Sequence, residues 1–233
     1  MNDIWQGVQE AFSLIFTADG EVMRIVALSL AVSVSALVLS AAVGIPLGIW
    51  LAFRRFASRR LAIAFLYTGM GFPPVVVGLV VFLLLSRSGP LGWSGWLYTP
   101  KAMVLAQVII AAPIIAGFTM VAVMAVNRNL RSQARSLGAN NLQVTMTMLQ
   151  EARVGMLVAV LAGFGRILSE VGAVMIVGGN LKGSTQVLTT ATVQFTRMGL
   201  FERSIAMGMI LLTLTFLTSL LWVLLQGGAL QES

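Results

Sequence analysis

Arg166 and Glu170 interrupt an otherwise apolar run between residues 154 and 180, and their spacing of four puts them on one face of a helix. Charges at that depth are costly and mark a bundle interior or an aqueous cavity. Two readings of the pair stand side by side: an inner-vestibule device that gates or steers an anion, and an intrahelical ion pair that keeps neighbouring helices in register. Other chemistry-bearing types are scarce. The chain has no cysteine and no histidine, so thiolate, zinc-finger and imidazole chemistry are excluded. Residues 178–184 (Gly-Gly-Asn-Leu-Lys-Gly-Ser) have the residue types of a phosphate-binding loop but not its Gly-Lys-Ser/Thr order. No nucleophile–base pair or metal-ligand set can be assembled: there are no catalytic residues and no metal site, and the reading is not of an enzyme. Thr189, Thr190 and Thr192 either offer hydroxyls to oxyanion oxygens or serve helix packing. Glu170 is the one carboxylate inside a span, which argues against a proton or sodium relay. If transport is active, its energy comes from an ATPase on another chain.

The elements that must position these residues follow from composition. Of 233 residues, 58% are hydrophobic and 10% charged, with a mean hydropathy of +0.93. Soluble domains carry about 25% charge, so the polar surface here is too small to clothe a soluble globule. Five stretches are long and apolar enough to cross a bilayer: residues 25–53, 61–86, 102–126, 154–180 and 204–226. The chain is therefore read as an all-α, multi-pass membrane protein, a five-transmembrane-helix core in a lipid bilayer. Residues 1–22 contain Ile4, Trp5, Val8, Phe12, Ile15 and Phe16 at helical spacing. They form either an N-terminal interfacial helix or a short helix packed on the bundle. Each of the first three spans holds proline at depth: Pro46, the pair Pro73 and Pro74, and Pro113. Freed carbonyls must then be satisfied by neighbouring helices or a water-lined path. Residues 69–74 read as a functional kink. Gly44 and Gly48 make a GxxxG, a device for close helix approach.

The net charge of +7 would suggest nucleic acid in a soluble protein; in a membrane protein it marks cytoplasmic loops, and no nucleic acid is expected. Loops 54–60 and 127–153 hold 8 basic residues in 34 positions, against 6 in 61 on the opposite side. The denser side is read as cytoplasmic, which leaves the N-terminus outside and the C-terminus inside. Residues 127–153 form the one amphipathic segment. Leu130, Ala134 and Leu137 are expected on one face of a short helix, Gly138 and Ala139 at a turn, and Leu142, Met146 and Leu149 on a second helix. Such a unit could insert into a groove of a cytoplasmic partner or lie on its own bundle.

This loop resembles the coupling loop of the permease subunits of type I ABC importers (MetI-like transmembrane domains), whose pattern is E-A-A-x3-G-x9-I-x-L-P. Here it runs Ser132-Gln133-Ala134, then Gly138-Ala139, then Met148-Leu149-Gln150-Glu151. Ser132 and Gln133 replace the first two residues of the pattern, and Gln150 and Glu151 the last two. Residues 165–173 (Gly-Arg-Ile-Leu-Ser-Glu-Val-Gly-Ala) are similar to the R-x-L-[GS]-E-[FV]-G-A run of the molybdate, sulfate and tungstate branch. Residues 178–185 and 188–191 look most like the tungstate permeases. The likeness covers about residues 20–226, and the transmembrane domain is placed at 23–228. It implies a homodimer with a translocation path at the interface, a dimer of ABC ATPase subunits carrying ATP-Mg below, and an extracytoplasmic substrate-binding protein above. No cofactor would be bound by this chain itself. The location implied is a bacterial or archaeal cytoplasmic (inner) membrane, and the cargo an oxyanion, tungstate first, with molybdate or sulfate as alternatives. By the same analogy Ser132, Gln133, Ala134, Arg135, Gly138, Ala139 and Glu151 couple to the ATPase, and Glu151 in place of proline implies a less abrupt break after the loop. Pro73, Pro74, Arg166, Ser169, Glu170, Thr189 and Thr190 are candidates for the path or gate. The competing reading is a passive anion channel or membrane scaffold whose basic loop binds anionic lipid.

Overall fold

Asp19 starts a long helix: its carboxylate accepts from the backbone N–H of Glu21 at 2.8 Å and of Val22 at 3.1 Å. Two amides that the first turn leaves unpaired are thereby satisfied. From this cap α1 (Gly20–Phe53) runs unbroken through Pro46. The computed structural model describes residues 19–230, together with Gln9 and Ser13, so the interfacial helix expected over 1–22 lies almost wholly outside the described residues. Following α1 come α2 (Arg59–Met70), α3 (Pro74–Leu85), α4 (Pro100–Ala125), α5 (Arg128–Ser136), α6 (Asn141–Glu151), α7 (Arg153–Leu168), α8 (Gly172–Gly178), α9 (Leu188–Arg197) and α10 (Phe201–Leu230). There is no strand among the described residues.

Three helices, α1, α4 and the α10 stretch 201–220, are individually long and apolar enough to cross a membrane. Two further helix pairs among the described residues are apolar enough together but bent at a short break: α2 and α3 meet at 98°, α7 and α8 at 58°. Counting each bent pair as one gives five, matching the sequence expectation in number. The difference is in continuity. The kink expected at 69–74 is a near right angle, and residues 154–180, read as one helix, are two.

The core is α1 laid along α4. A Cβ on Gly44 would stand 2.8 Å from the Ala112 carbonyl oxygen, and one on Gly48 2.5 Å from that of Ala116. The GxxxG thus brings two spans of one chain into backbone contact. Buried Val32, Met103, Ala106 and Ile110 continue the seam toward α3 and α8. Gly163 repeats the device: a Cβ there would meet Ile115 Cγ1 at 2.5 Å. Dispersion between closely approaching backbones, rather than apolar burial, is what holds helices together in lipid.

Candidate functional site

The two breaks are built differently and meet. At the first, Pro73 and Pro74 have no N–H to donate, so the α2 ladder ends; the Gly71 N–H bonds Tyr67 and Thr68 carbonyls at 3.3 and 3.1 Å, tightening the last turn. Pro74 then sits in the first turn of α3, where a missing N–H costs nothing. At the second, α7 stops at Leu168 and three residues intervene before α8. The half-helices beyond the breaks lie against each other. A Cβ on Gly78 would be 2.7 Å from Ala173 Cα, and one on Gly172 2.9 Å from Val75 Cγ2.

Glu170 organises the junction. It is 4% exposed, and its Oε1 accepts the Ala173 N–H at 2.9 Å, capping α8. Its Oε2 lies 3.7 Å from Arg166 Nη2, while its backbone carbonyl accepts from Thr189 Oγ1 at 3.2 Å. Arg166 and Glu170 were expected on one helix face. In fact α7 ends between them, so the carboxylate is shared between the last turn of one half-helix and the first turn of the next. Arg166 is 35% exposed, Ser169 is exposed and donates to the Arg166 carbonyl at 3.1 Å, and Pro73 is exposed beside half-buried Pro74. The structure therefore brings together Pro74, Arg166, Ser169, Glu170 and Thr189 at the paired breaks.

Thr190 stands apart: it is fully buried, and its hydroxyl accepts the Val187 N–H at 3.0 Å and donates to the Val187 carbonyl at 3.1 Å, closing the start of α9. Thr192 donates to Leu188 O at 2.8 Å. The hydroxyl protons of Thr189, Thr190 and Thr192 are all committed to backbone carbonyls. Residues 182–203, which lie between the fourth and fifth apolar stretches, thus contain a helix whose first turn is buried against α1, with the Leu188 N–H donating to Ser29 Oγ at 2.8 Å.

Two residues at the junction were missed in the sequence. Gln107 on α4 is 4% exposed, donates Nε2 to the Ile167 carbonyl at 3.4 Å, and keeps Oε1 without a protein partner. With Ser33 of α1, Glu170 and Thr189 it lines a small, mostly apolar cavity of about 20 Å³. The signal was present: Gln107 is the one carboxamide between residues 102 and 126.

The second constellation is the α5–α6 hairpin. The chain turns at Gly138 (φ +84°), whose N–H bonds Arg135 O at 3.0 Å while the Ala139 N–H bonds Ala134 O at 3.0 Å. Nothing lies within 4 Å of a Cβ built there, so backbone conformation and not space demands glycine. Asn140 and Gln143 then cap α6 reciprocally, at 2.9 and 2.8 Å. Arg135 Nη2 donates to Asn141 Oδ1 at 3.2 Å across the turn. The apolar residues do not divide as the periodicity suggested. Leu130, Ala134 and Leu149 turn inward onto Val123, Val126, Val144 and Met148. Leu137, Leu142 and Met146 are 89%, 70% and 56% exposed. Ser132, Gln133, Arg135 and Glu151 are exposed around them. Ala152 alone separates α6 from α7, and the Met156 N–H still bonds the Ala152 carbonyl at 2.9 Å, so the hairpin is joined almost without a joint to the helix that ends at Leu168, two residues before Glu170.

The described residues form an all-helical bundle with two sharply bent helix pairs and an exposed helical hairpin. Residues 44–228 match the model of the family "binding-protein-dependent transport system inner membrane component", and the chain belongs to that family. A probable anion ABC transporter permease of Haloferax volcanii is 46% identical over 82% of this chain and 85% of its own length. The tungstate uptake permease TupB of Peptoclostridium acidaminophilum is 41% identical over 93% and 95%, and that of Campylobacter jejuni 35% identical over 91% and 89%. Among solved structures, a bacterial ABC transporter that imports alginate matches with a TM-score of 0.73 at 20% identity, covering 93% of this chain and 82% of that one. The inward-facing MetNI methionine ABC transporter matches at 0.67 and 17%, covering 88% and 94%. The fold is thus the MetI-like transmembrane core, and the chain is a multi-pass permease component of an ABC transport system.

Proposed function

We propose that the chain is the permease of an ATP-driven oxyanion importer, with tungstate as the cargo, working as a homodimer whose interface forms the path. The observation that carries the coupling is the α5–α6 hairpin: three exposed apolar side chains on a rigid turn, continuous with the helix that leads to the paired breaks. An ATPase groove that grips Leu137, Leu142 and Met146 would move α7 as a lever. The displacement would arrive at Glu170, which is tied to α8 and α9 by one hydrogen bond each and to α7 by its ion pair with Arg166. Ser132, Gln133, Ala134, Arg135, Gly138, Ala139 and Glu151 surround the docking turn; Pro73, Pro74, Arg166, Ser169 and Glu170 form the gate. Thr189 and Thr190 act there by fixing the start of α9. ATP-Mg belongs to the partner ATPase, and an extracytoplasmic binding protein delivers the anion.

Tungstate is favoured because two relatives matched over nearly their full length are tungstate uptake permeases. In orientation, the basic loops 54–60 and 127–153 meet at one end of the bundle, where Phe53 and Ala52 pack on the cluster of Val126 and Met148. That end is cytoplasmic by the positive-inside rule, with the N-terminus outside and the C-terminus inside. The test is co-expression with an ATP-binding subunit. The chain is expected to co-purify with it, and Gly138→Asp to abolish ATP-dependent uptake at undiminished expression. Unchanged uptake by that variant would remove the hairpin from coupling.

A further inference from the structure

At the basic end of the bundle a cleft of about 410 Å³ opens between the 54–58 turn, the end of α4 and the first turns of α5. Arg55, Arg59 and Arg131 line it, with Phe53, Val126 and Met148 as apolar walls. Arg59 is fixed: Nε donates to the Leu51 carbonyl at 3.0 Å, one of the carbonyls the end of α1 leaves unpaired, and Nη2 lies 3.6 Å from Met124 Sδ. Arg55 and Arg131 are exposed, and neither has a carboxylate within ion-pair distance among the described residues. Three guanidinium groups lining one cleft, with no carboxylate of the described residues in ion-pair distance, give it a positive potential that favours an anion. The level of the cleft indicates which anion. Phe53 is the last residue of α1 and Val126 the first beyond α4, so it lies where two spans leave the hydrocarbon and lipid phosphates begin. Its walls are apolar on the span side and basic on the loop side, the polarity of a lipid headgroup with the start of its acyl chains.

We propose that this cleft binds the headgroup of an anionic phospholipid, its phosphate held by Arg55, Arg59 and Arg131. Because Arg131 is on α5 and Arg55 on the α1–α2 turn, the lipid ties the hairpin to the membrane-embedded body. Basic pockets at helix ends are a recurrent means of holding such headgroups.

The test uses the full-length chain purified in a neutral detergent and titrated, by native mass spectrometry, with short-chain phosphatidylglycerol, short-chain phosphatidylcholine and inorganic phosphate. Phosphatidylglycerol is expected to bind saturably, phosphatidylcholine not at all, and inorganic phosphate far more weakly because it has no apolar part. The double variant R55Q/R131Q is expected to raise the Kd for phosphatidylglycerol roughly thirtyfold, about fivefold per basic residue near an anionic surface. R54Q/R60Q removes the same number of charges from the same end of the bundle but outside the cleft, and is expected to leave the titration unchanged. Equal losses in the two double variants, equal binding of phosphatidylcholine, or equal affinity for inorganic phosphate would each overturn the proposal. If R55Q/R131Q does not fold, Arg131→Gln alone carries the test, with an expected rise of about fivefold. The assay contains no ATPase and reads no transport, so its failure is distinct from a failure of the permease reading.

Discussion

Glu170 carries several duties at once, and its variants separate them. Replacing it with alanine leaves the Ala173 N–H buried without an acceptor, a loss of about 1–3 kcal/mol. Glu170→Gln keeps an oxygen for that N–H and removes only the charge facing Arg166. Thermal unfolding in detergent should therefore show a clear fall in Tm for Glu170→Ala and a smaller one for Glu170→Gln. Equal falls would mean that the charge pair, not the cap, holds the junction. At this scale the sequence was partly legible. A pair of opposite charges in an apolar run announces itself, but its partners do not. The cap to α8 depends on where α7 stops, and nothing in Ser169-Glu170-Val171 forbids a helix as Pro73-Pro74 does. Gln107 was equally visible as a lone amide, yet its bond to Ile167 O is a contact between residues 60 apart, which no local pattern encodes.

Helices here are held by what is absent from their surfaces. With the Ala116 carbonyl 2.5 Å from a Gly48 Cβ, Gly48→Leu must force α1 and α4 apart. Overpacking of that kind costs about 1–3 kcal/mol, and a lower yield of folded protein on size-exclusion chromatography would register it. An unaffected Gly48→Leu would mean that the seam has slack. The GxxxG was readable as a close approach but not as an approach to α4, because the motif specifies a surface and not its partner. The hairpin shows the same limit: periodicity found apolar faces, but only the fold assigns Leu130, Ala134 and Leu149 to the inside. Leu137 and Leu142, being outside, are the residues to change. Leu137→Asp and Leu142→Asp are expected to preserve folding and to lower ATP-dependent uptake by about tenfold or more, the scale of losing an apolar anchor from a groove. Wild-type uptake in both would move the ATPase contact elsewhere.

At the scale of the molecule, composition alone pointed to the membrane, and the count of spans followed from hydropathy; the bend at 69–74 was legible in Pro73 and Pro74, but the one between α7 and α8 was not, since a hydropathy window averages over a break. The orientation rests on basic loops gathered at one end and is directly measurable, because the natural chain has no cysteine. A cysteine at Ser94 should react with a membrane-impermeant maleimide in intact cells, and one at Ser136 only in inverted vesicles; the reverse pattern would invert the topology. As the proposed importer permease, this chain moves an oxyanion only when another chain hydrolyses ATP. The most direct test of that dependence is tungstate uptake by proteoliposomes that contain the permease, the ATP-binding subunit and the binding protein. Tungstate is expected to accumulate with ATP and not without it, and not to leak through the permease reconstituted alone. Tungstate passing through the chain alone in the absence of ATP would contradict that dependence.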